Sequence, residues 1–248
     1  MKALPDPKRA AHPPSAETKE TSRRKLPRTG PSRRQRQIYI EAARLFVEKG
    51  FGSTSMSDLA EAVQLTKAGL YHSISSKEDL LFTIIQYGMD AFDEQVLNPA
   101  IEIADPFSRL KVALRLHVLN VTRVQDPSGD AGNPLTLVVD QVHALSPDRR
   151  RIIAERKYRY VAFMRDTLNE LRAQERLADG VDTTVAALTL SAMVLGIAKW
   201  RRPDGRLSVS EISEQIVAMA VSSVMRADLS EAPARVVATL RDAQPDPE

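Results

Sequence analysis

The sequence contains no cysteine, only 10 glycines in 248 residues, and few aromatic side chains, which make up 5% of the chain. Without cysteine the chain can form neither a disulfide framework nor a thiolate metal site, which suits a reducing compartment. Scarce glycine, together with the lack of any segment of strict apolar and polar alternation, argues against a β-sheet protein. The composition therefore predicts an all-α fold.

No apolar run in the sequence is long enough to cross a membrane. The longest extends from Val185 to Ala198, contains Thr189 and Ser191, and falls short of the roughly 18 residues that a span requires. The N-terminal segment is charged and rich in proline, without an apolar stretch, so we expect no secretory signal. These features predict a soluble cytoplasmic protein with no membrane partner.

The sequence also lacks the motifs of known catalytic sites. Its four histidines are far apart, without a His-x-x-x-His pair or a carboxylate at ligand spacing. There is no glycine-rich phosphate loop and no nucleophile elbow. We therefore expect no metal and no cofactor, and an enzyme is the less favoured interpretation.

Two short helices joined by a tight turn are predicted next to each other in the first third of the chain. Ser55 can accept the backbone N–H of Asp58 as an N-cap, and Thr66 can cap a second helix directly after the turn. This arrangement is a helix-turn-helix, whose second helix enters the major groove of DNA. The outward side chains of that helix are donors or flat rings that can reach phosphates and base edges: Thr66, Lys67, Tyr71 and His72.

The segment from Leu65 to Leu80, Leu-Thr-Lys-Ala-Gly-Leu-Tyr-His-x-x-x-Ser-Lys-Glu-Asp-Leu, resembles the DNA-binding domain of the TetR family of bacterial transcriptional regulators. The resemblance covers about residues 36–81. The chain departs from the family at Ile74, where an aromatic residue is usual, so the second helix is expected to sit slightly differently. The resemblance implies a helix-turn-helix domain over residues 33–81 with these candidate DNA-binding residues: Ser55, Ser57, Thr66, Lys67, Ala68, Tyr71, His72, Lys77, Arg33, Arg34 and Arg36.

Positive charge is concentrated just before this domain. Residues 1–36 contain eleven Lys and Arg against three Asp and Glu, a net charge of +8, so the rest of the chain carries −5 of the total of +3. Residues 1–32 have almost no large apolar side chains and are predicted to be a disordered basic arm. This arm either contacts phosphates or the minor groove beside the operator, or only keeps the chain soluble.

Helical periodicity continues through the rest of the chain and predicts a helical domain over residues 82–227, followed by a tail over 228–248. Proline, glycine and capping residues separate the individual helices. The predicted helices run from Lys77 to about Val96, Pro106 to Val124, Pro134 to Leu145, Asp148 to about Glu175, Thr183 to about Arg201 and Ser210 to Met225, with a weak last helix around Ala232 to Arg241.

One of these helices, Thr183 to Arg201, is apolar on nearly every side. Such a helix must be buried on every side, and a second copy of the chain is the natural cover. We expect it to pack, with the helix from Ser210 to Met225, against the same pair in a partner as an isologous homodimer. Two recognition helices one DNA turn apart, about 34 Å, would then read a pseudo-palindromic operator. The TetR resemblance implies the same arrangement.

A candidate effector site surrounds the only tryptophan, Trp200, which lies among cations where the apolar helix ends. An indole face for stacking beside guanidinium groups for phosphates suits a nucleotide-bearing ligand. The segment Trp-x-x-Pro-x-Gly-x-Leu-Ser also resembles TetR-family regulators that respond to acyl-coenzyme A thioesters. Alternatively, the cations only stabilise the negative end of the helix dipole. The candidate residues here are Lys199, Trp200, Arg201 and Arg202.

Further candidates for the effector pocket are flexible and aromatic residues at core positions of the same domain. A polar imidazole on an apolar helix face can line a pocket, although a hydrogen-bonded core histidine is the simpler explanation. The flexible and aromatic residues can likewise be ordinary core. These candidates are His117, Tyr160, Met164 and Met193.

Taken together, these features predict a homodimeric transcriptional repressor that a small effector, an acyl-CoA thioester, releases from its operator. The main alternative is a regulator of efflux that senses drugs or other hydrophobic ligands. A DNA-binding protein without sequence preference and an enzyme are less favoured.

Overall fold

The structure is a computed structural model that describes residues 31–122, 138–202 and 204–226. In these residues the chain is helical apart from one isolated antiparallel bridge between Leu177 and Met225, which confirms the predicted all-α class. The helices are α1 (Arg33–Lys49), α2 (Met56–Ala62), α3 (Lys67–Ser73), α4 (Lys77–Phe92), a π-helical segment (Asp93–Leu97), α5 (Asn98–Ile101), α6 (Pro106–Thr122), a 3₁₀ helix (Val138–Ala144), α7 (Pro147–Ala173), α8 (Thr183–Trp200) and α9 (Val209–Val224).

Several predicted segments lie outside the described residues. These are the basic arm up to residue 30, the loop between α6 and the 3₁₀ helix with the start of the helix predicted from Pro134, and the tail from residue 227 with its predicted last helix. The three boundaries between the four segments predicted from the sequence remain predictions.

Local sequence signals set the ends of the first three helices. Ser32 and Ser55 each form a capping box with the residue three positions later, and the hydroxyl of Thr66 accepts the N–H of Gly69 at 3.0 Å. α1 is followed by Gly50 with φ of 78°, a conformation that favours glycine. The observed starts of α2 and α3 agree with the caps predicted at Ser55 and Thr66.

Helices α1 to α4 enclose a small hydrophobic core of their own. Phe51 packs against Phe46 with ring centroids 5.4 Å apart, as expected for the contact that follows a helix end. The short α3 is held in place because its Leu70 is fully buried in this core. The other fully buried large side chains of the core include Leu59, Leu80, Leu81, Ile84 and Ile85.

The helix that begins at Lys77 does not end near Val96, as predicted from Pro99. It widens into a π-helical segment, Asp93–Leu97, and continues as α5 to Ile101. Pro99 lies in the first turn of α5, where a missing backbone N–H breaks no intrahelical hydrogen bond. The proline therefore comes directly after the π-helical segment, and the chain remains helical past it.

The helix predicted between Pro134 and Leu145 is also different. Its described part, Val138–Ala144, is a 3₁₀ helix. Val139, Val142 and Leu145 recur every three residues, which matches the three residues per turn of a 3₁₀ helix, and they pack against the core of α1 to α4. This segment thus belongs by its contacts to the N-terminal domain.

The C-terminal bundle consists of α6 surrounded by α7, α8 and α9. The observed bounds of α7, α8 and α9 fall within about two residues of the predicted ones, and Asp182 and Ser208 cap α8 and α9 as expected. Buried side chains from all four helices form the second core, which includes Leu110, Leu114, Met164, Leu168, Val194 and Ile197.

The first half of α7 lies along α4 and joins the two domains. Arg149 binds the carboxylate of Asp79 and lies 3.4 Å from that of Glu78, while the backbone N–H of Ser146 donates to Glu78 at 2.9 Å. These bonds lower the pKa of both carboxyl groups. Ile153 of α7 is buried in the N-terminal core. A movement of α7 therefore reaches the N-terminal domain directly.

Candidate DNA-binding surface and effector site

Helix α3 presents one polar face to solvent. Leu70 is fully buried on the inner side, whereas Tyr71 on the outer side is 48% exposed. The tight turn before α3 is made by Gln64, whose φ of 54° lies in the left-handed region. Other predicted DNA-binding residues on this face are exposed as well: Thr66, Lys67 and Ala68. His72 lies in α3, but its side chain is outside the described part of the structure.

Two serines near the start of α2 are exposed, as a role in DNA contact requires. Ser57 faces solvent. Ser55 is also exposed, but its hydroxyl is already engaged in capping, because it accepts the N–H of Asp58 at 3.1 Å and donates to the carboxylate of the same residue. These bonds hold the pKa of Asp58 well below its usual range.

Lys77 occupies a different position from the one expected for a phosphate contact. Its Nζ donates to the carbonyl oxygens of Phe51 and Thr54, both at 2.7 Å, and lies 3.4 Å from that of Gly52. The ammonium also lies 4.5 Å from the centroid of the Phe51 ring. All three ammonium protons are thus used inside the domain, where Lys77 ties the loop after α1 to the start of α4.

Arg34 likewise holds the recognition unit together. Its Nη2 donates to the carbonyl oxygen of Val63 at 2.7 Å and lies 3.4 Å from that of Gln64, at the turn between α2 and α3. These carbonyls belong to the free C-terminal end of α2, which a guanidinium stabilises. Arg33 and Arg36 are exposed on α1.

The buried effector candidates gather around three aromatic rings from three helices. Phe92 of α4, His117 of α6 and Tyr160 of α7 form a triangle with centroids 4.9 to 5.1 Å apart, each pair in an edge-to-face arrangement. Met164 is fully buried in the same core, and Met193 is half-buried against it. We call Phe92, His117 and Tyr160 the ring triangle.

Two polar atoms of the ring triangle are buried without a hydrogen-bond partner among the described residues, His117 Nδ1 and Tyr160 Oη. Burial lowers the pKa of His117 to about 3, because an imidazolium loses its hydration there, and the same desolvation raises the pKa of Tyr160. Both groups are neutral at physiological pH. A polar site therefore lies inside an otherwise apolar core.

The cationic candidates lie at the C-terminal end of α8, on the outside of the bundle. Lys199 forms an exposed salt bridge of 2.9 Å with Asp140 of the 3₁₀ helix. Arg201 follows α8, and its Nε and Nη1 are buried without a hydrogen-bond partner in the part of the chain described. Trp200 and Arg202 are exposed. The structure thus divides the predicted ligand residues into a buried group and a surface group.

Two features of this region have no clear signal in the sequence. Phe92 falls inside the helix predicted from Lys77 to about Val96, but one aromatic residue in an amphipathic pattern carries no sign of its neighbours. The second feature is a cleft of about 490 Å³ beside α6. The one signal for this cleft in the sequence is Asn120, a polar residue on an otherwise apolar face of α6. The cleft is lined by Gln95, Leu116, Leu119, Asn120, Thr122 and Val209.

Helix α8 keeps part of its apolar surface uncovered. Among the described residues it is the one helix long and apolar enough to cross a membrane, and 44% of it is buried in the bundle. Val185 and Leu188 are 61% and 52% exposed on it, and Met219 of the neighbouring α9 is 50% exposed. These exposed apolar side chains agree with the expectation that a second copy of the chain covers α8 and α9.

Two family models match the chain. The model described as "Bacterial regulatory proteins, tetR family" matches residues 38–84, and "Tetracyclin repressor-like, C-terminal domain" matches residues 104–224. The crystal structure of AibR in complex with isovaleryl coenzyme A and operator DNA shares 41% identity with the chain, a TM-score of 0.67, and coverage of 75% of this chain and 97% of AibR.

More distant relatives share the same architecture. The HTH-type transcriptional repressor KstR2 of Rhodococcus jostii (strain RHA1) is 22% identical over 204 residues, which span 79% of this chain and 93% of KstR2. The structure of the ketosteroid transcriptional regulator KstR2 of Mycobacterium tuberculosis has a TM-score of 0.68 at 20% identity, covering 79% of this chain and 97% of that one. The second likeness is evidence of the fold alone.

Proposed function

The chain belongs to the TetR family of bacterial transcriptional regulators, and from this premise we propose that it is a homodimeric repressor released from a pseudo-palindromic operator by an acyl-CoA thioester. Its relatives are regulators and not enzymes. The observation that carries the proposal is the exposed face of α3, with Lys67 and Tyr71 in solvent opposite the buried Leu70.

Operator recognition is assigned to α3 in the major groove. Lys67 binds a phosphate, the Tyr71 ring contacts a base edge or a phosphate, and Ala68 is small enough to contact a thymine methyl group. Thr66, Ser57, His72, Arg33 and Arg36 supply further phosphate contacts. We assign a supporting role to Arg34 and Lys77, because their donors hold the turn and the loop that position α3.

The homodimer is assigned to α8 and α9. Their exposed apolar side chains, Val185, Leu188, Leu195 and Met219, would be covered by the same helices of a second copy. A two-fold axis at this interface would place two α3 helices about 34 Å apart on one side of the DNA. We place the protein in the cytoplasm, where that DNA is found.

The proposed effector has two chemically different ends, and the two groups of candidate residues match them. An acyl group is apolar apart from its carbonyl and suits the core around Met164 and the ring triangle. The phosphates and adenine of coenzyme A suit the surface group, in which Arg201 has two unpartnered guanidinium nitrogens and Trp200 offers an exposed ring. AibR, the relative with 41% identity, is bound to isovaleryl coenzyme A.

The alternative effector, a hydrophobic cation of the kind that efflux regulators sense, receives less support. A buried cation needs a carboxylate or a similar anion nearby. The buried polar side chains in the described ranges are threonines, serines, one asparagine and His117, with no Asp or Glu. A neutral or anionic effector therefore fits the interior better.

A gel shift on the DNA upstream of the protein's own gene tests this proposal. We expect a discrete complex that survives an excess of unrelated DNA and is released by isovaleryl-CoA, but not by free coenzyme A or free isovaleric acid. A long-chain acyl-CoA in a parallel lane defines the acyl length. A complex that no thioester releases would contradict the proposed effector and leave the proposed repressor function in place. Failure to select any sequence from a random duplex pool would contradict operator recognition.

A further inference from the structure

The ring triangle joins three helices at one point inside the C-terminal bundle. Phe92 is the last residue of α4, His117 lies in the second half of α6, and Tyr160 lies near the middle of α7. The planes of each pair are inclined by 81 to 90°. Each ring therefore directs an edge at the face of a neighbour, and none can move without changing two contacts.

Within this triangle two polar atoms have no partner in the described structure, His117 Nδ1 and Tyr160 Oη. The two residues are only 2% and 6% exposed, so bulk solvent does not reach these atoms. Buried polar atoms of native proteins are nearly always hydrogen-bonded, since an unmade bond destabilises the fold. Two such atoms on rings in direct contact mark a place where a polar group of a ligand can complete them.

We infer that His117 and Tyr160 together bind one uncharged oxygen of the effector, the carbonyl oxygen of its thioester, and this assignment rests on the proposed function. A carbonyl oxygen has two lone pairs and can accept the Tyr160 hydroxyl and an imidazole N–H at once. Because burial keeps His117 neutral, with a pKa of about 3, the pair favours a neutral acceptor over a carboxylate. A thioester is thereby selected over the corresponding free acid.

The position of the ring triangle also connects this contact to the recognition helix. An oxygen placed between rings 5 Å apart must part them, and Phe92 moves with the end of α4. The π-helical segment directly after Phe92 is a form of helix that is frequent at functional sites. The other end of α4 begins four residues after α3. Binding at the ring triangle thus tilts the helix that carries the DNA-binding domain.

The test combines one variant with one change in the ligand. Isothermal titration compares isovaleryl-CoA with its thioether analogue, in which two hydrogens replace the carbonyl oxygen. We expect the wild-type protein to prefer the thioester about tenfold, the usual size of a neutral hydrogen bond. Tyr160→Phe should reduce that preference several-fold, because only the imidazole N–H then remains to bind the carbonyl oxygen. Tyr158→Phe, an exposed tyrosine two residues away on the same helix, should retain it.

Two further readouts separate ligand contact from a structural role. The carbonyl stretch of a ¹³C-labelled thioester should shift to lower wavenumber on the wild-type protein and shift less on Tyr160→Phe. Without ligand, Tyr160→Phe should unfold at the same or a higher temperature, because it loses a hydroxyl that had no partner.

Each contrary outcome has a definite meaning. Equal affinity of the wild-type protein for thioester and thioether, or an undiminished preference in Tyr160→Phe, overturns the assignment of the carbonyl and leaves the acyl-CoA effector standing. If Tyr160 instead binds an amide of the pantetheine arm, free coenzyme A will also lose affinity in Tyr160→Phe. That outcome overturns the assignment of the carbonyl as well. If the wild-type protein binds neither compound, the assignment fails together with the effector class on which it rests.

Discussion

Arg156 of α7 and Asp93, the first residue of the π-helical segment, face each other with Nη2 and Oδ2 2.9 Å apart. The same guanidinium lies 2.8 Å from Asp90 of α4 and 3.4 Å from the carbonyl oxygen of Gln86. One side chain therefore fastens α7 to the end of α4, one turn from the ring triangle. Such a contact can transmit a ligand-induced movement between domains, because the end of α4 is bound to α7 and must move with it.

Arg156→Gln is expected to weaken the coupling between effector and operator. The variant should still bind isovaleryl-CoA when free of DNA, but the thioester should lower its operator affinity several-fold less than it lowers that of the wild type. The measurement is fluorescence anisotropy of labelled operator with and without thioester. Arg159→Gln is the matched control, since Arg159 is more exposed and lies 3.4 Å from the same Asp93. Equal coupling in both variants would contradict this role of Arg156.

Tyr71→Ala is expected to abolish operator recognition without affecting assembly. The ring is half exposed on α3 and far from the apolar face of α8 and α9, so its loss removes a DNA contact of about 1–3 kcal/mol. Operator affinity should fall at least tenfold while the sedimentation coefficient stays that of the dimer. Tyr158→Ala removes an exposed tyrosine on α7 as a control. Unchanged operator affinity in Tyr71→Ala would show that α3 is not the recognition helix.

Lys67 and Lys77 offer a matched pair of lysines in the same domain. Lys77→Met should destabilise the protein by about 2 kcal/mol, because three carbonyl oxygens lose their donor. Lys67→Met should leave the free energy of unfolding within about 0.5 kcal/mol and reduce the slope of log affinity against log salt by about 1. Urea unfolding and salt titrations of operator binding distinguish the two. If Lys77→Met instead reduces the salt slope and leaves stability unchanged, Lys77 is a phosphate contact.

His117 is expected to make the free energy of unfolding depend on pH even above the pH range in which Asp and Glu titrate. Its pKa is about 3 when folded and about 6.5 when unfolded, so between these values the unfolded chain binds the extra proton. Stability is then fully present above pH 6.5 and is lost as pH falls. From pH 7 to pH 5 the free energy of unfolding should decrease by about 2 kcal/mol.

The control for this prediction is His117→Leu, which has no titrating ring at that position. Its urea unfolding profile between pH 7 and pH 5 should be flatter than that of the wild type, whatever its absolute stability. Parallel profiles of the two proteins would mean that His117 is accessible to protons in the folded state and is not the buried neutral group described above.

Several parts of the candidate site were predictable from the sequence because they depend on residues a few positions apart. Ser55 and Thr66 each accept a backbone N–H three residues later, and each marks a helix start where it was expected. The exposed face of α3 follows from the same local order, since only Leu70 of its middle turn faces the core. Local signals of this kind do not depend on how distant segments pack.

Other features were not predictable from the sequence because distant segments decide them. Nothing near Lys77 in the sequence indicates that carbonyl oxygens of residues 51–54 take its protons. The 3₁₀ form of Val138–Ala144 depends on the core against which its valines pack. The partners of a charged side chain depend on which backbone groups the fold brings within 3 Å, and sequence spacing contains no such distance.

By itself, the sequence determined the helical class, the ends of most helices, the exposed polar face of α3 and the apolar character of α8, because hydrophobic period and capping act within a few turns of one helix. Tertiary structure alone decided that Phe92, His117 and Tyr160 meet, that two of their polar atoms have no partner in the described chain, and that Arg156 binds α4. These contacts join helices separated by dozens of residues, and only the packing of the two cores brings them together.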